Sequence, residues 1–147
     1  MKFHILALCF VTFVQVASAQ LKLESVPRLD TTTALKILVA AQAESTDRNE
    51  NVAIVIVGQD GRILASSKSE KMGPQLYDFA TYKAQTSWFK GVCTEELAPR
   101  NGLSSELINM GRLQVIRGVQ GGIPLYFDGH VVGAIGVSGA PQEIDKL

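Results

Sequence analysis

Hydrophobic residues recur at helical spacing in the first predicted element, which covers residues 30–44. Its apolar stripe consists of Leu35, Leu38 and Val39. Asp30, or a threonine that follows it, can cap the first turn, because a side-chain oxygen at that position accepts a backbone N–H. The pattern predicts an amphipathic helix that packs this stripe against the core.

A second helical pattern follows Pro74, a residue suited to the first turn of a helix. We predict a helix over residues 75–90 that ends at Gly91. One side of this helix carries Leu76, Phe79, Ala80 and Ala84. The segment Thr94-Glu95-Glu96 then predicts a short helix before Pro99, because acidic residues are favourable in a first turn.

Five short runs rich in Val, Ile and other apolar residues predict β-strands. They cover residues 51–58, 62–66, 113–117, 123–127 and 130–137. An Asp-Gly pair joins the first two runs and another joins the last two, and such pairs are strong hairpin signals. Residues 100–110 carry mixed signals and predict a loop with one helical turn. Strands separated by isolated helices indicate an α+β domain with an antiparallel sheet.

The first 19 residues have the composition of a secretory signal peptide. Lys2 precedes an apolar run over residues 5–16, and Ala17-Ser18-Ala19 forms a small-residue cleavage site. The alternative is an uncleaved membrane anchor, but the run is shorter than the roughly 20 residues of a spanning helix. We therefore expect a single mature domain over residues 20–147 that is secreted or periplasmic, with no membrane segment after cleavage.

Charge and cysteine content restrict the classes of function. Fourteen basic residues balance 14 acidic ones, and no basic cluster indicates a nucleic-acid partner. Cys93 and His130 are the cysteine and the histidine of the mature chain, so an internal disulfide, a zinc site or another metal cluster is not expected. Cys93 is either a buried inert thiol, an intermolecular bridge or a ligand.

A glycine-rich stretch over residues 121–140 carries further information. It matches neither a P-loop nor a dinucleotide fingerprint. Gly133, Gly136 and Gly139 recur every third residue, so they fall on alternating faces of an extended strand. Some of them must mark bulges, or positions where a ligand or a neighbouring subunit approaches the backbone. A tightly packed curved sheet without a ligand is the structural alternative.

The sequence GGIPLYFDGHVVGAIGVSGAP resembles the C-terminal signature of the GlcG/HbpS-like family, also called the haem-degrading domain. TALKILVAAQAES is similar to the family's first helix, VAIVIVGQDGRILA to its first hairpin, and YKAQTSWFKGVCTEEL to its K-A-x-T helix and the following bend. The resemblance covers nearly all of the mature chain. It implies a profilin-like fold, with a five-stranded antiparallel sheet flanked by helices, and assembly into homo-oligomers with pockets near the subunit contacts.

The resemblance also implies a small-molecule site, with haem as a candidate cofactor because some members bind haem or are linked to its degradation. The ligand-binding candidates that it carries over are Lys83, Thr86, Thr94, Gly121, Gly122, Pro124, Gly133, Gly136, Ser138 and Gly139. Structural alternatives stay open: Lys83 as a solvated residue, Thr86 on the helix surface and Thr94 as a cap. Haem iron is typically held by His, Cys, Met or Tyr, and Cys93 and His130 are the candidate ligands. A solvated turn residue is the alternative for His130.

Three functions are compatible with these observations. The first is an exported binding protein whose ligand is haem or another small planar or acidic molecule. The second is an enzyme that degrades haem or acts on a small oxidised metabolite, with Cys93 or Lys83 as the reactive group. The third is a structural or sensory module whose oligomer contacts explain the glycines. No catalytic residue is assigned.

Overall fold

The computed structural model describes residues 25–99 and 105–139. The predicted signal peptide and its cleavage site lie outside these ranges. Within them, neither helix has an apolar stretch long enough to cross a bilayer.

The described residues form two helices and a series of short strands. The helices are α1 (Thr31–Asp47) and α2 (Pro74–Lys90), and a 3₁₀ turn over Thr94–Glu96 follows α2. The strands are β1 (Ala53–Gly58), β2 (Ile63–Lys68), β3 (Glu106–Met110), β4 (Leu113–Arg117), β5 (Gly122–Phe127) and β6 (His130–Ser138). The predicted helices, both Asp-Gly hairpins and the short helix at Thr94 are confirmed.

The strands form two separate antiparallel groups. A four-stranded sheet has the order β2-β1-β6-β5, and β3 pairs with β4 in a two-stranded hairpin. The α+β class is therefore confirmed, whereas the expected single five-stranded sheet is wrong. The helical turn predicted within residues 100–110 is also wrong where the structure describes that segment, because residues 106–110 form β3.

Hydrogen bonds to two threonine side chains tie β4 and β5 to the segment that contains α2 and the 3₁₀ turn. The backbone N–H of Ile116 in β4 donates to Thr86 Oγ1 at 2.7 Å, and the N–H of Gly122 in β5 donates to Thr94 Oγ1 at 2.9 Å. These two donors are thus engaged by α2 and the 3₁₀ turn instead of by a neighbouring strand. Strand β4 of the hairpin also packs against α2.

The ends of both helices follow the predicted local chemistry. Asp30 has extended backbone angles, and its carboxylate accepts the backbone N–H of Thr33 at 2.8 Å and so caps α1. This hydrogen bond lowers the pKa of Asp30 below its usual value of 3.8. Pro74 opens α2, and Gly91 ends it in the left-handed conformation with a φ of 66°.

The buried side of each helix matches the predicted one only in part, at Leu38 in α1 and at Ala80 and Ala84 in α2. In α1, Ala34 and Leu38 are buried, whereas Leu35 and Val39 are 49% and 63% exposed, so the predicted stripe is rotated toward solvent. Small Ala34, one turn before Leu38, lets the helix approach the sheet. In α2 the buried residues are Ala80, Lys83, Ala84, Thr86 and Ser87.

The two faces of the sheet pack against different helices. Toward α1 the core is aliphatic, with Ile54 and Ile56 of β1 and Val137 of β6 fully buried. Toward α2 the core uses smaller residues, including Ala53 and Val55 of β1 together with Ala134 of β6. Alternation of side chains along β1 and β6 produces this division.

Candidate functional site

The glycine-rich strand lies directly beneath the backbone of α2. A Cβ atom at Gly136 would stand 2.6 Å from Ala84 N and still closer to Ala80 O. At Gly122 it would stand 2.5 Å from Lys83 O and 2.5 Å from Thr94 Cγ2. Real Cβ atoms do not approach other atoms this closely, so these two glycines allow α2 to pack tightly on β5 and β6.

The other residues of the glycine-rich motif do not converge on one point. Gly133 faces the opposite side of the sheet, where a Cβ would stand 3.0 Å from Leu29 Cδ2. Gly121 has a φ of 105°, and its carbonyl accepts the N–H of Val137 at 2.7 Å. Pro124 is half-buried in β5, an edge strand of the sheet, where a missing N–H is tolerated. The predicted alternation between faces is confirmed for Gly133 and Gly136, whereas Gly139 follows the end of β6 with a φ of 120°.

The two threonine candidates are buried hydrogen-bond acceptors. Thr86 and Thr94 have no exposed surface, and their hydroxyl oxygens accept the N–H groups of Ile116 and Gly122. Thr86 is therefore not a helix-surface residue. Both side chains fix the positions of β4 and β5 relative to α2.

A cavity of about 320 Å³ opens where α2, β4 and the end of β6 meet, and we call it the α2 cavity. The described residues that line it are Leu76, Phe79, Lys83, Ser105, Ile116, Val119, Ser138 and Gly139. Three of these, Lys83, Ser138 and Gly139, are among the residues singled out by sequence. The volume lies at the low end of the roughly 300–1,000 Å³ typical of small-molecule sites.

Lys83 is the charged residue among those that line the α2 cavity. It is only 2% exposed, and its Nζ donates to the carbonyl oxygen of Val137 at 2.8 Å. Lysine is almost never this deeply buried unless its amino group has polar partners. The interpretation of Lys83 as a solvated helix residue is therefore wrong.

Sequence reasoning missed most of the apolar wall of the cavity. Leu76 and Phe79 are predicted to share one side of α2 with Ala80 and Ala84, but nothing in the sequence marks that side as the wall of a cavity, where Phe79 is 39% exposed. Ile116 and Val119 come from β4 and the residues after it, and no local pattern links them to α2. The spacing of Leu76, Phe79 and Lys83, three and four residues apart, is a signal that could have grouped the α2 contribution.

The two candidate iron ligands lie away from the α2 cavity. His130 is exposed at the start of β6, opposite Phe127 across the Asp128-Gly129 turn. Cys93 is half-buried and precedes the 3₁₀ turn, where its backbone N–H donates to the carboxylate of Glu96 at 3.0 Å. Neither residue lines the cavity, and across the described ranges no three His, Cys, Asp or Glu side chains cluster as metal ligands would.

Comparison with solved structures supports the fold. HbpS has 28% sequence identity and a TM-score of 0.70, with 85% of this chain and 87% of that chain covered. The PduOC:heme complex has a TM-score of 0.68 over 82% of this chain and 88% of that chain. Its sequence identity of 22% shows similarity of fold alone.

Sequence comparison also finds related proteins. Protein GlcG of Escherichia coli K12 is 28% identical over 107 residues, which represent 69% of this chain and 75% of GlcG. The family model described as "Haem degrading protein HbpS-like" matches residues 29–147. Because this match spans most of the chain, the protein belongs to the HbpS-like family.

Proposed function

We propose that this protein binds a small molecule in the α2 cavity, with Lys83 as its polar anchor. The observation that carries the proposal is a deeply buried lysine in the wall of a largely apolar cavity. A concave apolar site with a few converging polar groups is the usual form of a small-molecule site. The description of the family and the haem bound to PduOC make haem the first ligand to test.

The lining of the α2 cavity does not fit the iron of haem. Haem iron is typically held by His, Cys, Met or Tyr, and none of the described lining residues is of these types. Met72 packs against Gly139 at the border of the cavity but is itself buried. Tyr77 and Tyr126 donate their hydroxyl groups to Ser66 and to the carbonyl of Gly91. We therefore propose no iron ligation within the cavity, and Cys93 and His130 stay the candidate ligands for haem bound elsewhere.

A haemin titration of residues 20–147, followed by absorbance in the Soret region, tests the haem part of the proposal. The variants Cys93→Ser and His130→Ala identify the iron ligand, and Lys83→Met tests whether the cavity takes part. Saturable one-site binding that is lost in one of the first two variants would support haem as a ligand and identify its donor. A spectrum of free haemin at every protein concentration would remove haem from the proposal.

We also propose that the protein is exported after cleavage behind Ala19. The support is the order of the charged, apolar and small-residue regions in the first 19 residues. Mass spectrometry of the protein recovered from the periplasm or the medium of a bacterial expression host tests this. A mature N-terminus at Gln20 is expected, and an intact Met1 in the cell membrane would contradict it.

Assembly into homo-oligomers is a further part of the proposal. Its support is the exposed pair Leu35 and Val39 on α1, since exposed apolar side chains that lie together often mark contact surfaces. Light scattering coupled to size exclusion measures the subunit number. The variant Val39→Lys should lower it, and a monomeric parent protein would rule this part out.

A further inference from the structure

We infer that α1 packs antiparallel against α1 of a second copy of this chain, about a two-fold axis at the level of residue 41. This inference rests on the proposed assembly into homo-oligomers, and it specifies the surface and the orientation of one contact. It is independent of ligand binding in the α2 cavity, because α1 and α2 pack on opposite faces of the sheet.

A stripe of apolar and small side chains runs along the outer side of α1. Leu35 and Val39 are 49% and 63% exposed, while the opposite side of the helix packs on β1 and β2. Ala43 continues the stripe by one turn, and Thr46 follows it, and both are exposed. Residues three or four positions apart share one face of a helix. These four residues therefore form a continuous seam, which we call the α1 seam.

The order of side-chain sizes along the α1 seam fits an antiparallel partner. With residue 41 of the two helices at the same level, Val39 lies opposite Ala43 of the partner subunit. Leu35 then lies beside Thr46 of the partner subunit. A larger side chain meets a smaller one in each layer, which lets facing layers interdigitate. The two-fold axis repeats both contacts, so four layers form along the helix pair.

Charges beside the α1 seam favour the same orientation. Lys36 and Asp47 are exposed and lie eleven positions apart, which is about three turns, so they flank the seam on the same side. In the antiparallel pair Lys36 faces Asp47 of the partner subunit, and the axis generates this ion pair twice. A parallel pair would instead bring Lys36 to the opposite flank of the partner helix, where the exposed residues Thr31 and Gln42 carry no charge. Charged residues beside an apolar seam commonly set the orientation of paired helices.

The length of α1 determines the expected strength of the contact. The helix has 17 residues and is therefore about 25 Å long. Ala43 at the centre of the seam allows the helix axes to approach to the usual distance of about 8–10 Å. One helix from each subunit forms an interface near the lower limit of about 1,000 Å² for specific contacts. We therefore expect a dimer whose population depends on protein concentration.

Disulfide trapping with single-cysteine variants of the mature chain tests the orientation. In the Cys93→Ser background no other cysteine follows residue 19, so Val39→Cys and Ala43→Cys are each prepared in it. Mild oxidation of a mixture of the two should give a covalent dimer, because a disulfide needs Cα atoms within about 7 Å of each other. Each variant oxidised alone should give at least fivefold less covalent dimer, since identical positions are offset along the antiparallel pair.

Charge reversal tests the ion pairs. Lys36→Glu should raise the dissociation constant of the dimer about fivefold or more in sedimentation equilibrium, because two attractive pairs become repulsive. Addition of Asp47→Lys to the same chain should return the constant to within about twofold of the parent value, because both pairs are restored with reversed signs. The matched control is Lys90→Glu, which makes the same charge change at an exposed site on α2 and should leave the constant unchanged.

The outcomes distinguish this inference from the proposed assembly. If Val39→Cys forms a covalent dimer alone as readily as in the mixture, the helices are parallel and the inference is wrong. A dissociation constant that Lys36→Glu leaves unchanged would also overturn it. An oligomeric parent protein without any disulfide at these positions would overturn the inference but retain assembly through another surface. A parent protein that stays monomeric at every concentration would contradict both.

Discussion

The two faces of the four-stranded sheet pack their helices by different means. On the α1 face, branched side chains such as Ile54, Ile56 and Val137 fill the space between helix and sheet. On the α2 face, Gly122 and Gly136 bring the helix backbone almost onto the strands. The first face is stabilised mainly by apolar burial, whereas the second depends on close approach.

Polar side chains divide the two faces in the same way. Lys83, Thr86, Ser87 and Thr94 are all buried on or next to α2, whereas Ser45 is the buried polar side chain of α1. Thr86 and Thr94 hold the backbones of β4 and β5, and Lys83 borders the α2 cavity. The α1 face is thus filled by aliphatic side chains, while the α2 face combines close backbone packing with the residues of the candidate site.

The substitution Gly136→Val should have the largest effect on this comparison. The new side chain would meet the backbone of α2 at Ala80 and Ala84, which cannot move without displacing the helix. We expect a loss of about 3 kcal/mol or more in the free energy of unfolding, or failure to fold. Urea unfolding followed by circular dichroism measures this.

Gly73→Ala is the control for this prediction. Gly73 precedes α2 with a φ of −67°, and the nearest obstacle to its Cβ is the mobile end of Gln75. It should lose less than about 1 kcal/mol. A Gly136→Val protein with the stability of the control would show that the close approach of α2 is not required.

The role of Gly136 also shows how far the sequence predicts the structure. Its spacing from Gly133 correctly predicts opposite faces of the strand, and its lack of a side chain correctly predicts a close approach to the backbone. The approaching group, however, is the protein's own α2, more than 50 residues earlier in the chain. Local patterns predict helix ends and hairpin turns because those depend on neighbouring residues, whereas partners from distant segments depend on tertiary packing.

The site shows the same limit of sequence reasoning. The family resemblance singles out Lys83, Ser138 and Gly139, which do meet at the α2 cavity. It does not single out Phe79 or Ile116, which complete the apolar wall. The strand β3 was missed because residues 106–110 carry no clear strand pattern, although they pair with β4 along their whole length.

The substitution Thr94→Val should have the next largest effect. Valine has a similar shape but leaves the buried N–H of Gly122 without the acceptor that Thr94 provides. An unsatisfied buried donor costs about 1–3 kcal/mol, and we expect a loss of unfolding free energy in this range. Thr94→Ser, which keeps the hydroxyl group, should lose less.

Thr81→Val is a matched control for this loss. Thr81 lies on α2, and its hydroxyl donates to the carbonyl of Tyr77, so its removal strands no backbone N–H. Chemical unfolding of the three variants in parallel makes the comparison. Equal losses in Thr94→Val and Thr81→Val would mean that the bond to Gly122 contributes nothing specific.

The aliphatic α1 face should be more tolerant of a conservative change. Ile56→Val removes one methylene group from a fully buried position, which typically costs about 0.5–1.5 kcal/mol. Urea unfolding should show this smaller loss. A loss as large as that of Gly136→Val would contradict the difference between a face filled by side chains and a face that depends on close approach.

The smallest effect on stability is expected at the start of α1, where the side chain of Asp30 caps the helix. In contrast, α2 begins at Gly73 and Pro74 without a side-chain cap. Asp30→Ala removes the acceptor of the Thr33 N–H and should lower the melting temperature slightly at neutral pH.

Because folding lowers the pKa of Asp30, the contribution of its charge is present above the unfolded value of 3.8 and is lost as the pH falls through the lower folded value. The difference in melting temperature between parent and Asp30→Ala should therefore shrink below about pH 4, while the difference between Asp30→Asn and Asp30→Ala should not. Thermal melts from pH 2.5 to 7 measure both differences. A parent-to-Ala gap that is constant across this range would mean that the charge of Asp30 does not take part in the cap, so that α1, like α2, depends on its packing against the sheet.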